Sequence, residues 1–122
     1  MRDGVIVLAH GSRDPLWRAP VEAVAARIRQ RSNGSLVECA YLELCAPDLS
    51  AAAATLLAAG VESIRVLPLF FGLGKHARED LPLLLANLRS AHPTITIQAL
   101  ASAGENPAVL DLLAELALEG NS

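Results

Sequence analysis

The chain has 122 residues, of which 52% are hydrophobic and only 3% aromatic, and its net charge is −3. That length suits a single domain over residues 1–122 and leaves no room for two ordinary cores. No apolar run approaches the ~20 residues that span a bilayer, and the acidic balance argues against general nucleic-acid binding, which needs a basic surface; a soluble cytoplasmic protein is expected.

The start, MRDGVIVLAHG, sets a short apolar run behind a basic flank. It lacks the length and cleavage site of an export signal, so GVIVLA (4–9) reads as a first strand. LAHGSRDP follows (8–15), with His10 directly after the strand and Ser12 and Asp14 reading as turn or cap residues. Pro20 blurs the start of the next helix and makes 14–19 an irregular first turn. Val21, Val24, Ala25 and Ile28 then recur at helical spacing. Trp17 is either a hydrophobic staple or a platform for a flat ligand.

The second apolar run, SLVECAYL (35–42), leads into Glu43. Cys39 and Cys45 match no zinc or redox spacing and read as buried free thiols. Pro47 suits a first helical position ahead of Leu49, Ala52, Ala53 and Leu56. A third run, SIRVLPLFF (63–71), opens into FGLGKHARED, where Phe70 and Phe71 divide between core and crevice wall, and helical spacing resumes at Leu81, Leu84, Leu85 and Leu88. His92 and Pro93 precede the fourth run, TITIQAL (94–100), so His92 reads as a solvated or capping residue. Asn106 and Pro107 then start a helix with Val109, Leu112, Leu113 and Leu116 on one face and Asp111, Glu115 and Glu119 on another. Gly34, Gly60 and Gly120 follow helical segments, where a left-handed residue is wanted.

Strand and helix alternating four times predict a three-layer α/β fold, a parallel sheet covered by helices on both faces. The apolar character of strands one and three predicts burial on both sides. A strand order of 2-1-3-4 puts the switch point between strands one and three. His10, Glu43 and His76 all follow strands and share the carboxyl edge of the sheet, with His10 and His76 flanking the crevice. Two imidazoles and a carboxylate there suit an open site for a divalent transition metal, with one imidazole free to act as base. Arg13, Arg18, Lys75 and Arg78 form a basic set nearby for anionic substrate groups. GLGK lacks the spacing of a phosphate-binding loop. Ser12 has no nucleophile elbow around it, and Ala9 stands where histidine phosphatases carry an arginine.

Taken together, LAHGSRDP, AYLEL and VLPLFFGLGKHAREDLP resemble the small class II tetrapyrrole chelatases, the sirohydrochlorin cobalt and iron chelatase family. The resemblance covers nearly the whole chain. It implies ATP-independent insertion of Co2+, Fe2+ or Ni2+ into sirohydrochlorin or its one-step oxidised relative, for cobalamin or siroheme synthesis. No cofactor is implied beyond the divalent metal substrate. His10 and His76 match the family's metal-binding and catalytic histidines and Glu43 its acidic partner. Lys75 departs from the pattern, since many members have glycine there. Many members also carry two copies of the domain, so one copy implies a homodimer with the crevice near the subunit interface. Cobalt is favoured because short single-domain members group with the cobaltochelatases. The rival readings are a non-catalytic metal or tetrapyrrole carrier and, more remotely, a histidine-dependent phosphatase.

Overall fold

The four branched apolar runs form one sheet in the computed structural model, which describes residues 2–120. The strands are β1 (Asp3–Ala9), β2 (Leu36–Tyr41), β3 (Ser63–Pro68) and β4 (Thr96–Ala99). All pairings are parallel and the order is β2-β1-β3-β4, as expected. The helices are α1 (Ala19–Arg31), α2 (Leu49–Ala58), α3 (Lys75–Ala91) and α4 (Pro107–Glu119).

Local chemistry sets most boundaries. Asp14 accepts a hydrogen bond from the Leu16 amide at 2.9 Å and caps a 3-10 turn, Pro15–Arg18, which is the irregular turn expected ahead of Pro20. Ser12 Oγ accepts from the Asp14 amide at 3.1 Å, a turn role as expected. Asn106 caps α4 with Pro107 at its first position, and His92 is the C-cap residue of α3. Pro47 does not begin α2. The cap is Asp48, whose carboxylate accepts from the Ala51 amide at 2.8 Å, and this leaves Pro47 outside the helix.

Parallel pleating divides the core into two layers. Ile6 and Leu8 of β1 point to one face, where they meet Leu49, Ala52, Ala53 and Leu56 of α2 and Leu81, Leu85 and Leu88 of α3. Val7 and Ala9 point to the other, against Val21 and Ala25 of α1. Burying a Leu or Ile side chain contributes roughly 1.5–3 kcal/mol, so β1, closed on both faces, is the anchor of the fold.

One expectation fails. β3 is closed on one face only: Ile64 and Val66 are buried, whereas Arg65 between them is exposed. The alternating arginine in SIRVLP marks a half-solvated strand. The sheet has helices on both faces as expected, α1 on one and α2 with α3 on the other, while none of the residues of α4 is buried. The face left open by β3 and β4 carries Arg65, Thr96 and Gln98, all exposed, and offers little apolar surface for α4 to cover.

Candidate active site

The carboxyl edge of β1 is tied to the segment after β2 by main-chain bonds that outlast the strands. The Leu42 amide donates to the Ala9 carbonyl and the Glu43 amide to the His10 carbonyl, each at 3.0 Å. Gly11 makes this approach possible. Its φ is +110°, and a Cβ there would lie 1.8 Å from the Glu43 carbonyl oxygen, so only glycine fits. His10 and Glu43 are thereby fixed as neighbours. Leu44 follows with φ +68°, and the Cys45 amide closes a three-residue turn by donating to the Glu43 carbonyl at 2.9 Å. A non-glycine residue in this region costs on the order of 1–3 kcal/mol, and such strain collects where a side chain must be aimed.

His76 arrives from the other side of the switch point. It is the second residue of α3, whose N-cap residue Gly74 makes no side-chain capping bond. The first amides of α3 and the positive end of its dipole therefore face the same space. That space is a cavity of about 330 Å3 lined by His10, Leu42, Glu43, Gly74, Lys75, His76, Ala77, Asp80, Leu81 and Leu84. Its volume lies within the range of small-ligand pockets. The His10 ring leans on the buried Phe70 ring, with centroids 4.6 Å apart and planes at 55°.

The structure thus brings four of the expected residues, His10, Glu43, His76 and Lys75, to one cavity. The donors surround it rather than close on a point: among the described residues no three His, Cys, Asp or Glu side chains form a group that could hold one metal ion. The rest of the basic set lies elsewhere. The 3-10 turn carries Arg18 to the α1 face, into a groove with Glu22, Arg29, Glu38, Cys39 and Tyr41. Arg78 is exposed outside the cavity wall because residues two apart on a helix do not share a face. Arg13 is exposed within the Ser12 to Asp14 turn and does not line the cavity.

Trp17 is exposed and does not line this cavity; its ring stands 6.2 Å from that of buried Tyr41. Phe71 is exposed and stands outside the cavity, so of the two phenylalanines only Phe70 serves the site, from within the core. Cys39 and Cys45 are free and half-buried, and burial pushes the Cys39 thiol up from its ordinary pKa. Sequence reasoning missed Asp80 and the apolar wall of Leu42, Leu81 and Leu84. Asp80 was legible, since it follows His76 by four residues and shares its helix face.

A family model for CbiX matches residues 4–119. The chain belongs to the CbiX family. Similarity extends to a CbiX protein of Marinobacter aquaeolei VT8, assigned to cobalamin (vitamin B12) biosynthesis. Its structure superposes with a TM-score of 0.81 at 30% identity, over 97% of this chain and 96% of that one. The sirohydrochlorin cobaltochelatase of Saccharolobus solfataricus is 42% identical over 82 residues, which are 67% of this chain and 62% of that protein. In the curated relatives the match spans less than two thirds of their length. The sirohydrochlorin chelatase SirB of Bacillus subtilis subspecies spizizenii, solved with cobalt, shares the fold at 23% identity with a TM-score of 0.80. There this CbiX chain is covered to 98% but fills only 51% of its counterpart.

Proposed function

We propose that this chain is a sirohydrochlorin chelatase, an ATP-independent metal-inserting lyase acting with Co2+, Fe2+ or Ni2+ as its metal substrate. One observation carries the reading: in a member of the CbiX family, His10, Glu43 and His76 line a single cavity at the carboxyl edge of the sheet. Metallation of a tetrapyrrole forms bonds from the ring nitrogens to the ion and releases two protons from the pyrrole N–H groups. One imidazole takes the ion from water while the other, with the Glu43 carboxylate, accepts the protons. Donors spread around an open cavity suit an ion that must be passed on. Leu42, Leu81 and Leu84 provide an apolar wall for the macrocycle, and Lys75 with the first amides of α3 receives its carboxylates. Arg13 and Arg78, exposed on the same edge, meet carboxylates that project beyond the cavity.

Cobalt is the favoured ion, although imidazole and carboxylate donors by themselves prefer nickel and copper; availability and cavity geometry make the choice. The protein acts as one domain over residues 1–122, as a homodimer, in the cytoplasm. Among the described residues no helix is long and apolar enough to cross a membrane.

The experiment is anaerobic metal insertion followed by the absorption change of sirohydrochlorin. His10→Ala and His76→Ala should each lower the rate about 10²–10⁴-fold, the range for losing a general base or its equivalent. Wild-type rates in both variants would end the histidine mechanism. Stoichiometric binding of the macrocycle with an unchanged spontaneous rate would mark a carrier.

A further inference from the structure

The cavity holds one ionisable side chain to which the metallation chemistry above gives no task. Asp80 lines it together with His76, four residues earlier on α3. Three of the other four aspartates are spent on the fold: Asp3 accepts from Ser63 Oγ at 2.6 Å, and Asp14 and Asp48 cap helical turns. Asp80 has no such role among the described residues, since α3 starts at Gly74 without a side-chain cap. It stands sixth in the helix, beyond the first turn in which the helix dipole favours an acidic side chain. Aspartate is also a poor residue for a helix interior. Helix formation therefore does not account for it.

The ligands of the cavity narrow its role. A carboxylate repels an anionic macrocycle, whose carboxylates have Lys75 and the first amides of α3 to meet. It attracts a cation. Residues i and i+4 of a helix stand one above the other with Cβ atoms about 5–6 Å apart, and their side chains lean towards the helix N-terminus. The Asp80 carboxylate thus leans over the turn that carries His76. The same spacing supplies two ligands from one helix in H-E-x-x-H metal sites. On the other side of the switch point His10 and Glu43 form a comparable pair, held by the bond from the Glu43 amide to the His10 carbonyl at 3.0 Å. Donors arranged as two pairs also explain why no three of them close on one point among the described residues.

We propose that Asp80 is a metal-docking ligand: with His76 it holds the hydrated divalent ion on α3 before the ion passes towards His10, Glu43 and the ring nitrogens. The proposal rests on the reading of the cavity as a site for a divalent metal substrate, and adds to it a ligand and an order of events. Two protein donors leave the other positions on the ion to water, so the ion is held yet remains exchangeable. Its onward passage replaces the bonds to His76 and Asp80 with bonds to the ring, and the oxidation state of the metal does not change. Glu79, the neighbour of Asp80 in sequence, carries the same charge but does not line the cavity and takes no part.

Titration of the full chain with Co2+ alone, in the absence of any macrocycle, tests this. Asp80 is exposed, so its replacement leaves the core intact. Asp80→Asn should weaken Co2+ binding at least about tenfold, the lower end of what losing even an outer partner of a metal site costs. Asp80→Glu should restore most of the affinity. Glu79→Gln should stay near wild type, because a screened charge outside the cavity acts weakly. Asp80→Cys should give bound Co2+ a near-ultraviolet thiolate charge-transfer band that the wild type lacks, since Cys39 and Cys45 do not line the cavity. In metal insertion, Asp80→Asn should raise KM for the metal and leave kcat near wild type. Unchanged Co2+ affinity in Asp80→Asn, or no charge-transfer band in Asp80→Cys, overturns the proposal. A lower kcat with an unaltered metal KM also overturns it and makes Asp80 a proton acceptor instead. Co2+ that binds as expected but is never inserted would end the chelatase reading and leave this one standing.

Discussion

The His10 ring rests on Phe70 with centroids 4.6 Å apart, so a buried core residue sets the orientation of a cavity side chain. Tilted ring pairs contribute about 0.5–1.5 kcal/mol beyond the area they bury. Phe70→Leu should keep the fold while lowering kcat up to about tenfold, because the imidazole loses its backing. Phe70→Ala should cost ~3–5 kcal/mol in denaturant unfolding, as expected for an aromatic removed from a packed core. An unchanged kcat in the leucine variant would mean that the contact does not position His10.

Gly11 and Gly34 both have positive φ, but they differ in surroundings. A Cβ on Gly11 meets the Glu43 carbonyl oxygen at 1.8 Å, whereas one on Gly34 meets nothing within 4 Å. Gly34→Ala should therefore cost only the backbone strain, about 1 kcal/mol. Gly11→Ala must also push the β1 and β2 ends apart, costing ~2–4 kcal/mol, or a fall in Tm on the order of 10 °C. Equal melting temperatures for the two variants would refute the close approach. Chelatase activity should fall only in Gly11→Ala, since only that change separates His10 from Glu43.

Most of the fold was legible because its signals are local. Period-2 and period-3.6 patterns, Asn106 before Pro107 and glycines past the helices are short-range chemistry, and the strand order follows from winding rules. The carboxyl-edge position of His10, Glu43 and His76 followed from topology alone. Sequence did not carry where the irregular turn points: a 3-10 turn of four residues sends Arg18 to the α1 face. Helical phase, by contrast, was readable from spacing, and it turns Arg78 away from His76 while bringing Asp80 to it. The apolar stripe of α4 was visible, but periodicity says only that a face wants cover and not what supplies it.

Lys75 lines the cavity beside His76, where its charge opposes an incoming cation and attracts a carboxylate. The two effects separate in steady-state kinetics. Lys75→Gln should raise KM for sirohydrochlorin and lower KM for the metal, each by no more than about fivefold, because an exposed ion pair is worth ~1 kcal/mol or less. The differences should shrink as ionic strength rises. Parallel movement of the two KM values would argue that Lys75 acts by packing rather than charge.

Tyr41 is the only tyrosine, so its ionisation can be read without assignment. It lies buried at the end of β2, and burial, with the Cys39 thiol and Glu22 beside it, pushes its pKa up from 10.0 to about 12. A raised pKa in the folded state means that folding favours the neutral phenol. Its contribution to stability is therefore fully present below about pH 10 and is lost as pH rises from there towards about 12. Tyrosinate absorbance should appear near pH 10 in urea and well above it in the native protein. Tyr41→Phe should remove this part of the alkaline loss of stability, leaving a shallower slope of unfolding free energy with pH in that window. A native titration that coincides with the unfolded one would show that the phenol is solvated, and the packing of α1 against β2 would then be looser than described.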